Sequence, residues 1–117
     1  MTDESLQDTV LGALDEMKAR NVVVLDVREL TSIADSMVIA SGTSDRHVRS
    51  IAENVIEKCK EGGHVPLGIE GLKDGEWVLV DLQDIVVHLM LPRVRDFYNL
   101  EKLWASPVRP GRVKAEA

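Results

Sequence analysis

Aromatic residues are scarce in this chain of 117 residues: two Trp, one Tyr and one Phe. A core with so few rings must be aliphatic, so the place of each ring carries information. Cysteine occurs once, at Cys59, which excludes an internal disulfide and a Cys-based zinc cage and fits a reducing compartment. Basic residues are in the minority, 14 against 20 acidic ones for a net charge of −6. A general DNA or RNA binder would present a basic stripe to phosphates, whereas a basic protein partner suits this balance. No apolar run approaches the roughly 20 residues of a membrane span. Asp3 and Glu4 stand where a signal or transit peptide would be basic, so the expected location is cytoplasmic, with no membrane partner. GxGxxG, the P-loop lysine and the GxSxG elbow are all absent.

All four rings fall between Trp77 and Trp104, in WVLVDLQDIVVHLMLPRVRDFYNLEKLW. Trp77 to Leu82 and Ile85 to Leu91 are apolar, β-branched runs separated by Gln83-Asp84, and Pro92 stops the second run and can open a helix at its first turn. The stretch therefore reads as a hairpin followed by a short helix. With a two-residue turn, Leu82 lies opposite Ile85, which puts Trp77, Leu79, Asp81, Val86, His88 and Met90 on one face. Asp81 and His88 are then diagonal neighbours. Val78, Val80, Leu82, Ile85, Val87, Leu89 and Leu91 form the other face, uniformly apolar, which requires cover.

Upstream segments can supply it. Leu6, Val10, Leu14 and Met17 recur at helical spacing, with acidic residues at the positive end of the helix dipole, and predict a helix ending near Arg20-Asn21. Val22 to Val27 reads as a buried strand, and Met37 to Ala40 as a second. Val48, Ile51, Ala52, Val55, Ile56 and Cys59 follow the spacing of an amphipathic helix, with Ser44 as N-cap and Gly62-Gly63 as its left-handed stop. Val65 to Glu70, interrupted by Pro66 and Gly68, predicts an irregular edge strand. The order α, β, β, α, β, β, β, α predicts one α/β domain over residues 1–104, with a mixed sheet of about five strands flanked by helices. Residues 105–117 hold Arg109, Arg112 and Lys114 against Glu116. They read as a flexible basic tail of net +2, which leaves −8 for residues 1–104.

Three constellations invite chemistry. Ser41-Gly42-Thr43-Ser44 joins a strand to a helix start, where backbone N–H groups can hold a phosphate, but the loop equally suits simple capping. Asp81 and His88 could form an acid–base pair, fix two strands together or meet a partner. His47 and His64 lack a carboxylate at metal-ligand spacing, so neither a metal nor a cofactor is expected. After Pro92, the residues Arg93, Arg95, Tyr98, Glu101 and Trp104 follow at two- or three-residue steps. Phe97, Leu100 and Leu103 suit a core, whereas Tyr and Trp among Arg and Glu have the composition of a protein interface.

On these residues the chain resembles the ribosomal silencing factor (RsfS, Iojap) family from about Leu6 to Trp104. The carriers are Lys18-Ala19, Val22 to Val27, Asp35, SGTSDRHV at Ser41 to Val48, IEG at Ile69 to Gly71, WVLVD at Trp77 to Asp81, VVH at Val86 to His88, and RDFYNLEKLW at Arg95 to Trp104. The last three are highly specific. Such a resemblance implies a non-enzymatic factor with a nucleotidyltransferase-like fold that binds the large ribosomal subunit through ribosomal protein fourteen at the inter-subunit face. It would block joining of the small subunit and silence translation when nutrients are scarce. It also implies self-association, as a homodimer, of the free protein. Trp77, Asp81, His88, Arg95, Tyr98, Leu100, Glu101 and Trp104 are the partner-binding residues that carry over. Gln83 departs from the family, where glycine is usual, as does Met90-Leu91-Pro92, where many members have Phe-His-Pro. The alternative is a nucleotide-binding enzyme of the nucleotidyltransferase kind, which would need carboxylates at alternate strand positions to hold Mg²⁺. Asp81 and Asp84 instead straddle a turn.

Overall fold

A computed structural model of the protein describes residues 3–29 and 34–98. Helix α1 (Asp3–Glu16) buries Leu6, Val10, Ala13 and Leu14, the i, i+4, i+7, i+8 stripe of a helix with one apolar side. It stops short of the expected Arg20-Asn21 because Lys18 turns left-handed at φ 58°, while the Ala19 N–H closes the end on the Leu14 carbonyl at 3.0 Å. Helix α2 (Asp45–Glu61) buries Val48, Ile51, Ala52, Val55 and Cys59. Ser44 caps it, its hydroxyl accepting from the His47 N–H at 3.1 Å. At the far end the Gly63 N–H donates to Lys60 and the His64 N–H to Cys59, at 3.0 and 2.7 Å. This is a Schellman closure in which Gly63, at φ 91°, is the left-handed residue rather than Gly62.

Five strands form one mixed sheet: β1 (Arg20–Asp26), β2 (Ser36–Ser41), β3 (Gly68–Glu70), β4 (Trp77–Asp81) and β5 (Ile85–Met90), in the order β1-β2-β5-β4-β3. β2 and β5 run parallel at the centre and the other pairs are antiparallel. The β4–β5 register is the one the sequence predicts: Asp81 faces Val86, Leu79 faces His88 and Trp77 faces Met90. Its turn puts Gln83 at φ 77°, with the Asp84 N–H reaching back to the Leu82 carbonyl at 3.0 Å, a backbone form suited to glycine.

Helices α1 and α2 cover one face of the sheet. Beneath them lie Val38, Ala40, Val78, Val80, Val87 and Leu89, all fully buried, each contributing roughly 1.5–3 kcal/mol of burial where the side chain is Val or Leu. Gly42 lets β2 run under α2: a Cβ there would meet the Val48 backbone nitrogen at 2.9 Å. The opposite face carries a smaller cluster, Val27, Met37, Ile39 and Met90. Helix α3 (Pro92–Tyr98) lies against it through Val94.

Two strand expectations are corrected. β1 is not a buried strand but an edge, with Val22 and Val24 each 39% exposed. Asn21 at φ 51° shifts its register between Arg20 and Val23, and a strand paired on one side only is not covered on both faces. β3 is an edge strand as expected, but only three residues long, since Val65 to Leu67 lie outside it.

Candidate partner-binding face

The sheet face away from α1 and α2 holds Trp77, Asp81, His88 and, from α3, Arg95. Alternation along β4 and β5 puts Trp77 and His88 on this face as diagonal neighbours. The indole N–H of Trp77 donates to His88 Nδ1 at 3.0 Å, with ring centroids 5.9 Å apart. Because Nδ1 accepts, the His88 proton sits on Nε2. Burial, at 6% exposure, pushes the imidazole down to about 4 and keeps it neutral. Trp77 itself is half-buried, its orientation held by a neighbour that solvent hardly reaches.

Arg95 is buried too, at 7% exposure, its Nη1 donating to the Ser41 hydroxyl at 2.9 Å. That contact ties α3 to the end of β2. At the start of α3, Arg93 pairs with Glu76 at 3.2 Å, and the Leu91 N–H donates to the Glu76 carbonyl at 3.0 Å. The result is a groove of about 370 Å³ lined by Glu76, Trp77, Arg93, Val94 and Phe97. Glu76 and Val94 carried no signal in the sequence, because the groove exists only once α3 is folded back beside Trp77.

Phe97 corrects the core reading: it is 81% exposed. The turn of α3 that points Val94 and Arg95 at the sheet leaves Phe97 on the outer side. Asp81 and His88 share the face but form no pair. The Asp81 carboxylate accepts from the Gln83 N–H at 2.9 Å, and His88 is engaged by Trp77. The buried positions of His88 and Arg95 make them supports of the face, while Trp77 and Asp81 are half-exposed on it. Tyr98 ends α3; its side chain, with Leu100, Glu101 and Trp104, lies outside the described residues, as does the boundary between residues 104 and 105.

The loop before α2 is a cap. Thr43 donates its N–H to His47 Nδ1 at 2.9 Å, and His47 Nε2 donates to the Met17 carbonyl at 2.7 Å, so this histidine lies within α2 and joins it to the end of α1. With the His47 N–H on Ser44, the loop's donors at Thr43 and His47 face protein groups rather than an open phosphate site. Among the described residues no three His, Cys, Asp or Glu side chains are grouped as metal ligands would be, and no helix is long and apolar enough to cross a membrane.

Fold and face together describe a small α/β domain in which one sheet face is sealed by two helices and the other presents a fixed tryptophan beside carboxylates. The family model described as "Ribosomal silencing factor during starvation" matches residues 1–116, and the chain belongs to that family, RsfS. It is 43% identical over 106 residues to the Ribosomal silencing factor RsfS of Chromobacterium violaceum, covering 91% of this chain and 87% of that one. A crystal structure from the same organism matches with a TM-score of 0.88 at 40% identity, covering 100% of this chain and 93% of the other. The mouse protein named Mitochondrial assembly of ribosomal large subunit protein 1 is 36% identical over 102 residues, covering 83% of this chain and 44% of the mouse protein.

Proposed function

We propose that the protein is a non-enzymatic, cytoplasmic repressor that binds the large ribosomal subunit through ribosomal protein fourteen and prevents the small subunit from joining. Translation then falls when nutrients are limiting. The observation that carries this reading is Trp77, fixed by His88 on the face that the two long helices leave clear. A rigid, half-buried aromatic is the form a binding hot spot takes. Glu76 beside it and Asp81 on the same strand face suit a basic ribosomal protein and disfavour bare RNA. The name of the mouse relative, which refers to the large subunit, supports the choice of particle. In this reading Trp77 and Asp81 touch the partner together with Tyr98, Leu100, Glu101 and Trp104, while His88 and Arg95 hold the face in shape. A second copy of the chain would cover the same face in the free protein.

Sedimentation with purified large subunits tests this. The protein is expected to travel with the particle and to reduce reassociation with small subunits. Trp77→Ala should weaken binding by about 2 kcal/mol, roughly thirtyfold. A protein that stays at the top of the gradient overturns the proposal.

A further inference from the structure

The other side of the molecule carries an apolar surface that the Trp77 face does not account for. Between α2 and the edge strand β3 runs a groove of about 580 Å³ whose floor is Ile56, Ile69 and Leu72. Ile69 faces Val80 across the ladder, which places it on the helix-covered side of the sheet, away from Trp77. Immediately before β3 stand Val65 at 70% exposure and Leu67 at 68%. Scattered apolar residues are ordinary on a surface, but here Val65, Leu67 and Ile69 make up three of the six exposed large apolar residues in the described chain. They lie within five consecutive positions, of which Ile69 lines the groove and the other two come just before it in the chain. Contiguous apolar surface with a polar rim marks an interaction site.

The rim says what kind. Glu53, Glu57 and Glu61 recur at four-residue steps on the exposed side of α2 against the single cation Lys60, a formal −2 in a chain whose total is −6. That field repels a nucleic-acid backbone and attracts a cationic polypeptide. We infer that this α2–β3 groove docks a basic protein segment bearing aliphatic side chains, the aliphatic groups on Ile56, Ile69 and Leu72 and the cations on the three glutamates. Resting on the ribosome-binding reading, the segment belongs to a large-subunit protein and gives a second contact, separate from the Trp77 face.

A photo-crosslinking amino acid at Leu67, whose exposure lets it be replaced without disturbing the core, tests this on purified large subunits. Sedimentation scores binding of the particle and mass spectrometry identifies what Leu67 reaches. The expected product joins position 67 to a lysine- or arginine-rich stretch of a ribosomal protein. Val65→Ser with Leu67→Ser should weaken subunit binding about tenfold, and Glu53→Gln with Glu57→Gln should flatten its salt dependence. Co-sedimentation with no crosslink, or with a crosslink to ribosomal RNA, to residues 105–117 of the same chain or to a second copy, overturns the groove and leaves the Trp77 face standing. Failure to co-sediment overturns both.

Discussion

Replacing His88 by phenylalanine keeps the size of the ring while removing its acceptor and its titration, and the consequences have opposite signs at the two ends of the pH range. Near neutrality the variant loses the 3.0 Å bond from the Trp77 indole. A neutral hydrogen bond to a half-exposed donor is worth about 1–2 kcal/mol, so the variant should be less stable by that amount. In the wild type the folded imidazole titrates at about 4, against an ordinary value of 6.5. The unfolded chain therefore takes up a proton first as pH falls, so the contribution of neutral His88 is whole above about pH 6.5 and is lost down to about pH 4. At 1.36 kcal/mol per pH unit this loss approaches about 3 kcal/mol, which exceeds the hydrogen bond. The variant should become the more stable protein in acid, with the curves crossing between about pH 5 and pH 6. Urea midpoints for both proteins from about pH 4 to pH 7.5 measure this, and the shared titration of carboxylates cancels in the difference. Parallel curves would refute both the neutral state assigned to His88 and its burial as the cause.

Phe97→Ala should leave folding free energy within about half a kcal/mol of wild type, because the ring is 81% exposed, yet reduce large-subunit binding, which denaturant midpoints and sedimentation separate. Gln83→Gly should stabilise the hairpin by about 1 kcal/mol in thermal or urea unfolding, since Gln83 holds φ at 77°, where a side chain costs energy and glycine does not. Arg95→Ala should destabilise by roughly 2 kcal/mol through the lost bond to the Ser41 hydroxyl. Arg95→Met with Ser41→Ala should recover much of that stability while still binding the subunit poorly, which a paired unfolding and binding measurement detects.

The hairpin was readable because both of its faces obeyed one period: a two-residue turn at Gln83-Asp84 and strict alternation fix every partner from Trp77 to Met90. Helix α2 was readable for the same reason at a period of 3.6 residues, down to its Ser44 cap. β1 misled because Val22 to Val27 is apolar enough for a central strand, and nothing local shows that only β2 lies beside it. Phe97 misled more instructively. Helix α3 is seven residues long, too short for an apolar stripe to declare itself, and its rotation is set by Val94 against the Val27, Met37, Ile39 and Met90 cluster and by Arg95 on Ser41. The Arg95–Ser41 bond joins positions 54 residues apart, beyond the reach of any window of sequence. Likewise the tie from Trp77 to His88 shows in the sequence only as a shared face, where Asp81 is the partner singled out for His88; the Gln83 N–H takes that carboxylate instead.

The two faces of the sheet are built on different terms. Under α1 and α2 every buried strand position is aliphatic, the composition that folding alone would select. On the other face three polar side chains, Ser41, His88 and Arg95, are buried and matched to partners. Such groups break about even against apolar residues of the same shape, so stability does not explain them. Orientation does. Each of the two contacts fixes something at the surface: His88 fixes the plane of Trp77, and Ser41 with Arg95 fixes the angle at which α3 presents Phe97 and the groove beside it. Ordering an interfacial side chain on binding costs about 0.5–1.5 kcal/mol. When Trp77 is held before any partner arrives, that cost falls on folding, where the aliphatic face supplies ample compensation, and the partner meets a surface already in its binding shape.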